Sequence, residues 1–542
     1  MNKPLLLSLA AATILGTNLD AQSMYERIQS MELQMKQMKE ELETLKTQKA
    51  ETTSMDTEED EKSDDEESND EESDDTEESE DDEEETIEET LADIQENLFE
   101  LNKATNGNHL KFSADYRFTL ENLNYQMVNG DEYSNDAFMT NRFWLNMNWA
   151  PTKNLSFRAQ LAYNSSFGQR ADNDSIGYNF EDFDWVSSEN AYDNVLRLRS
   201  AYFLYNNNTF FNADIPWTFS IGRRPSTNGH LINFREDDNA ASPMAHVINV
   251  EFDGLSSKFT LENITGVDGM YIKFCAGRGL TNAAHKFTAT PYATESGIND
   301  NIDMIGFIFI PYSDGQYTIG SQYTYANNLI DQKFLFDAGT GKLIPQNEFY
   351  TVGGLHTATI NFIANGIGDG ISDFFDDTTF FISGAASLTN PDKTYAHIDP
   401  STGSTYYAKG MLGSNKAEAG YSGWIGLQFP SLITEDGRWG IEYNYGTQYW
   451  RSITYAEDTN IGSKIATRGS AYEAYFTEYL VDDILSMQIR YTYIDYDYSG
   501  SNGFFGDTTG YSMSMDDTIA AGMDNVVVDS AQDIRFYLRY KY

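Results

Sequence analysis

The chain has 542 residues and a formal net charge of −49, a balance that argues against nucleic acid as a partner. Its single cysteine, Cys275, excludes an intrachain disulfide, and its 11 prolines are few enough for a chain made mostly of paired strands. Aromatic side chains make up 14%, with 35 Tyr and 33 Phe, a surplus expected where rings line two membrane interfaces.

Residues 1–21 read as a signal peptide. Lys3 supplies the positive start, Leu5 to Leu15 the apolar centre, and Leu19-Asp20-Ala21 a cleavage site before Gln22. The apolar centre is too short to span a bilayer as a helix, and no later run of about 18 apolar residues follows. No cysteine follows the cut, which argues against a lipid anchor.

In the 22–50 segment, Ile28, Met31, Met35, Met38, Leu42 and Leu45 are spaced by threes and fours in alternation, the seam of a coiled coil. The other reading is a single amphipathic helix lying on another surface. Residues 51–85 form an acidic tract with one basic residue, Lys62, and close to half of the net negative charge. Such a tract cannot bury enough apolar surface to offset chain entropy, so a disordered linker is expected. It serves as a solvated spacer or as a cation-collecting arm. A second amphipathic helix is expected over 86–105, with Ile87, Leu91, Ile94, Leu98 and Leu101 on its seam, ending at Asn106-Gly107-Asn108.

From 109 to 542 the pattern changes to period two. Phe112, Ala114, Tyr116, Phe118 and Leu120 alternate with Lys111, Ser113, Asp115, Arg117 and Glu121, a strand with one oily and one wet face. Strands over 143–149 and 155–163 bracket the tight connection Ala150 to Asn154. Further strands are expected near 195–205, 217–224, 247–253, 270–278, 303–311, 316–326, 350–363, 378–388, 419–430, 438–450, 470–480 and 485–498; a segment around 253–263 is the weakest. The last strand, 531–542, places Ile534, Phe536, Leu538, Tyr540 and Tyr542 on one face and Asp533, Arg535, Tyr537, Arg539 and Lys541 on the other. Short links alternate with long polar ones such as 165–194, 225–246, 279–302, 389–418 and 499–530, which is the asymmetry of outer-membrane barrels. Trp149, Trp217 and Trp439 sit beside proposed short turns, where an interfacial girdle would lie. The expected fold is an all-β transmembrane barrel of about 16 antiparallel strands.

Nothing in the sequence assembles a catalytic set. The six histidines have no metal-ligand spacing, and His230 and His246, which share one long loop, read as solvated. Gly366 to Gly370, followed by Asp373, Asp376 and Asp377, lacks calcium-loop spacing and reads as a turn. Cys275 falls on the lumen face beside Lys273. No cofactor, metal or catalytic residue is expected. Arg117, Arg142, Arg158, Arg197, Arg199, Arg224, Arg490, Arg535 and Arg539 all fall on or next to the polar phase of their strands. An arginine facing lipid at mid-depth would cost about 2–4 kcal/mol, so these are expected to line a pore. The 225–246 loop carries Arg235, Glu236, Asp237 and Asp238, a candidate constriction whose acids would face the wall arginines across a transverse field. The competing expectation is that the arginines pair with nearby acids such as Asp115 and Glu121 and hold the wall rigid.

Two segments, Ser220-Ile221-Gly222-Arg223-Arg224-Pro225-Ser226-Thr227-Asn228-Gly229 and Gly440 to Trp450, resemble a porin-like family of uncharacterised outer-membrane proteins with a signal peptide, an N-terminal coiled coil and a barrel. The resemblance implies an outer-membrane channel for small hydrophilic solutes or ions, with the N-terminal region in the periplasm. It also implies contact with outer-membrane lipid and a homo-oligomer, a trimer favoured, assembled through the coil, which could also reach the cell wall. The rival expectations are a non-conducting anchor that presents the coil and acidic arm, and an enzyme on the barrel rim.

Overall fold

The computed structural model describes residues 110–169, 191, 195–280, 301–337, 342–368, 370–392, 395–398, 405–408, 412, 414, 416–454, 459–500, 512–520, 522–525 and 527–542. The signal peptide, coiled coil, acidic linker and second helix expected before residue 109 lie outside them.

Sixteen strands make the wall: β1 (Leu110–Met127), β2 (Glu132–Thr152), β3 (Leu155–Ser166), β4 (Arg197–Asn207), β5 (Trp217–Ser226), β6 (Ile248–Thr260), β7 (Tyr271–Leu280) and β8 (Ile302–Ser313). The series continues with β9 (Tyr317–Asp337), β10 (Lys342–Asn365), β11 (Thr379–Pro391), β12 (Ala419–Pro430), β13 (Arg438–Gly446), β14 (Gly469–Val481), β15 (Leu485–Tyr496) and β16 (Val528–Lys541). Each pairs antiparallel with its sequence neighbours, and β16 returns to β1 in the register Asp115↔Lys541 through Glu121↔Arg535. The sheet therefore has no free edge. Tyr542 completes the seam by exchanging both backbone hydrogen bonds with Ala114.

Alternation follows the pleat. On β16, Ile534 and Tyr540 are exposed on the outside, whereas Asp533, Arg535, Tyr537 and Arg539 are buried inside. Among the described residues no helix is long and apolar enough to cross a membrane. Trp149, Trp217 and Trp439 all lie beside turns at the end that holds Leu110 and Lys541.

Several bounds differ from the sequence reading. β2 begins at Glu132, far ahead of 143, because its first residues pair with the outer part of β1. β6 is one continuous strand, not a strand over 247–253 followed by a weak segment, since it pairs with β5 and then β7 along its length. β13 stops at Gly446 rather than Trp450. Thr447 turns the chain, and Trp450 leaves the wall for the lumen, where its indole N–H reaches the Ile465 carbonyl at 2.7 Å.

Much of the lumen is packed. Leu231, Ile232 and Ala245, from the β5–β6 connection, meet Ile363, Phe381, Trp424 and Ile465 in one buried cluster. A second joins Met244 and Val247 to Ile308, Ile310, Ala385 and Trp450. Side chains from connections, not only from the wall, fill the barrel.

Candidate functional site

The β5–β6 connection, residues 227–247, crosses the lumen. A short helix, Ile232–Glu236, lies at its tip, entered through Leu231 at φ +84° and left through Asp237 at φ +51°. Positive φ is costly for a bulky residue and persists only where the surroundings impose it. Here they do, because Leu231 and Ile232 are buried against the far wall.

Polar contacts fasten the tip to β14, β15, β16 and β1. Arg235 is fully buried; its Nε donates to Glu236 at 2.8 Å and its Nη1 to Glu473 at 3.2 Å. The Glu236 carboxylate in turn faces Arg490 at 3.3 Å and Arg117 at 3.6 Å. Gln488 donates to the Arg235 carbonyl at 2.8 Å, and Tyr479 to Asp237 at 2.6 Å. Asp238 accepts from Arg539 at 3.1 Å and Lys541 at 2.9 Å. Burial alone would push the Asp238 carboxyl up; the Arg539 and Lys541 charges outweigh it and hold it below the ordinary carboxylate range.

These contacts correct the picture of acids facing wall arginines across an open gap. Glu236 and Asp238 touch the arginines directly, so their charges cancel at contact distance instead of setting a field across water. Arg235 turns into the wall. The other arginines on this side also meet acids: Asp115 takes Arg539 at 2.6 Å and Arg142 at 3.4 Å, and Arg535 pairs with Glu121. Arg117 stands level with Arg142 on one side and Arg539 on the other, a like-charged row made tolerable by the interleaved carboxylates.

A second connection enters the lumen, and the sequence reading passed over it. In residues 447–468, Ile453 and Thr454 pair parallel with Ile248 and Asn249. Lys464, fully buried, bonds Glu442 at 2.6 Å and also Glu473. The signal was present: Trp450, Ile453, Ile461 and Ile465 are apolar without period two, which fits neither a strand nor a solvated loop. His246 was expected in solvent. It is instead buried, with its ring nitrogens 2.8 Å from Ser383 and 2.9 Å from Ser422, and burial drives its pKa down to about 3. His230 is half-buried and pushed down to about 4 by the same cause.

What these insertions leave open is a cavity of about 660 Å³ on the β2–β9 side. Arg158, Arg199, Arg224, Lys273 and Cys275 line it. Arg199 also pairs with Glu251 at 3.2 Å and lies over the Trp144 ring at 4.3 Å. Arg197, half-buried near the far end of β4, reaches the Val195 carbonyl at 3.4 Å. A second cavity of about 670 Å³ opens at the end holding Leu110 and Tyr542, lined by Asp115, Asp237, Asp238, Arg539, Lys541 and Tyr542 among others. The two share Asn146, Gln160, Arg199 and Asn228 in their linings, so they are neighbours. Among the described residues no three His, Cys, Asp or Glu side chains gather as a metal site.

A family model described as a protein of unknown function (DUF3373) matches residues 132–542. The chain belongs to that family. No match was found among curated proteins. Among solved structures the fold is similar to OmpT, an outer-membrane protein of Vibrio cholerae, at 10% identity and a TM-score of 0.42, covering 80% of this chain and 97% of that one. It is also similar to an anion-selective porin from Comamonas acidovorans (11%, TM-score 0.40, 80% and 99%) and to OprB of Pseudomonas putida (14%, 0.40, 80% and 94%). The chain itself is a closed barrel of sixteen antiparallel strands.

Proposed function

We propose that this barrel is a passive conduit for small hydrophilic solutes or ions, running along the β2–β9 wall where the two inserted connections leave room. The observation that carries the reading is the pair of neighbouring cavities whose linings share Asn146, Gln160, Arg199 and Asn228. Sixteen strands give a lumen wide enough for water, and the insertions reduce it to a narrow path on one side. In this reading the end with Leu110 and Tyr542 faces the periplasm, residues 22–50 form a coil that helps three copies assemble or reach the cell wall, and the conduit performs no chemistry. The packed clusters inside the lumen favour a second reading, a closed barrel that anchors the N-terminal region. Purified protein in a planar bilayer separates the two: a conduit produces discrete conductance steps, and an anchor leaves the baseline flat.

A further inference from the structure

We propose that the cavity beside the inserted loop is a binding station for small organic anions, a carboxylate or similar oxyanion on a short apolar body; this deepens the conduit reading and rests on it. The two walls of the lumen differ in charge balance. Around the loop tip the arginines meet Asp115, Glu121, Glu236, Asp238 and Glu473 at contact distance. Across the lumen, the cavity lining includes Arg158, Arg199, Arg224 and Lys273 and not one carboxylate among the described residues. Glu251, the acid that Arg199 meets, is engaged by Arg199 at 3.2 Å and Arg223 at 3.5 Å.

Arg224 is held for display. Its guanidinium bonds the hydroxyls of Ser220 and Ser256 and lies over the Tyr202 ring at 4.9 Å, contacts that fix its direction without neutralising it. Lys273 is held the same way by the Ser242 hydroxyl. The charged neighbours of Arg224 and Lys273 include Arg158, Lys258 and each other, with no carboxylate. Lys258 and Lys273 stand directly opposite in the β6–β7 register, an arrangement that costs stability unless an anion sits nearby. Phe252, Met304 and Ile308 supply apolar lining for the body of the solute. A cavity of about 660 Å³ falls within the size of small-molecule sites.

The test uses the full chain in planar bilayers under a KCl gradient, with benzoate as the anionic probe and benzamide as its neutral counterpart. The expected reversal potential lies on the chloride side, and benzoate, but not benzamide, interrupts the current. Replacing Arg158→Gln, Arg224→Gln and Lys273→Gln together abolishes both the chloride preference and the benzoate block. A reversal potential at zero or on the potassium side, or a triple variant that keeps both properties, overturns the proposal. Should the triple variant fail to give a heat-modifiable barrel, Arg158→Gln alone is read: a shift toward zero supports the proposal and no shift overturns it. Absence of steps in the unaltered chain defeats the conduit reading instead. Calorimetry with benzoate on the detergent-solubilised chain then decides the station by itself, with binding lost in Arg158→Gln if it exists and no binding if it does not.

Discussion

Replacing Arg235 by Leu would test whether the inserted loop narrows the lumen. Arg235 is fully buried, and its guanidinium bridges Glu236 at 2.8 Å and Glu473 at 3.2 Å. Removing one partner of a buried ion pair costs about 3–5 kcal/mol because the other charge stays buried. The lower end, ~3 kcal/mol, applies here, since Glu473 keeps Lys464 and Thr492 and Glu236 keeps Arg490. Leu231 and Ile232 contribute about 1.5–3 kcal/mol each when buried, so the loop stays seated most of the time and leaves only briefly. A loss of ~3 kcal/mol raises the population of the released loop by about a hundredfold. Single-channel recording should therefore show brief excursions to a larger conductance, while Arg235→Lys, which keeps the charge, shows fewer. If Arg235→Leu matches the unaltered chain in conductance, and heat converts both to the slow-migrating form at the same temperature, the loop's ion pairs do not hold it and the reasoning fails.

Trp450→Ala should cost about 3–5 kcal/mol by opening a cavity under the second inserted segment, seen as a lower urea midpoint and noisier channels. Asp115→Asn leaves Arg142 and Arg539 without a carboxylate they both share; a loss of about 3 kcal/mol is expected, measured by urea unfolding from vesicles. His246 is held neutral, with a folded pKa of about 3 against an ordinary 6.5. The unfolded chain therefore binds the extra proton first as acid is added, so the stability associated with His246 is full above about pH 6.5 and drains away as the pH falls toward 3. His246→Gln should flatten that part of the stability–pH curve, and an unchanged slope would rule out His246 as its source.

The barrel was legible because a strand buried on one face and wet on the other writes its environment into every second residue. Arg117, Arg535 and Arg539 share the polar phase of adjoining strands for that reason, and the closing register sets Arg117 level with Arg539 and Arg535 level with Glu121. Their partners were harder to read. Glu236 lies 254 residues from Arg490, and Asp238 301 residues from Arg539, separations over which no local spacing rule operates. The 447–468 segment was missed because its apolar residues follow neither period, having been placed by packing inside the lumen rather than by a helix or strand of their own.

What the sequence by itself determined is the wall: alternation sets which face each side chain takes, and an apolar exterior with paired backbone groups admits only a closed sheet. Only the tertiary structure decided what the wall encloses. The path of residues 227–247, 447–454 and 459–468 depends on contacts between segments far apart in the chain, Arg235 with Glu473 and Ser452 with the His246 carbonyl, whose energies exist only once the cylinder has closed around them.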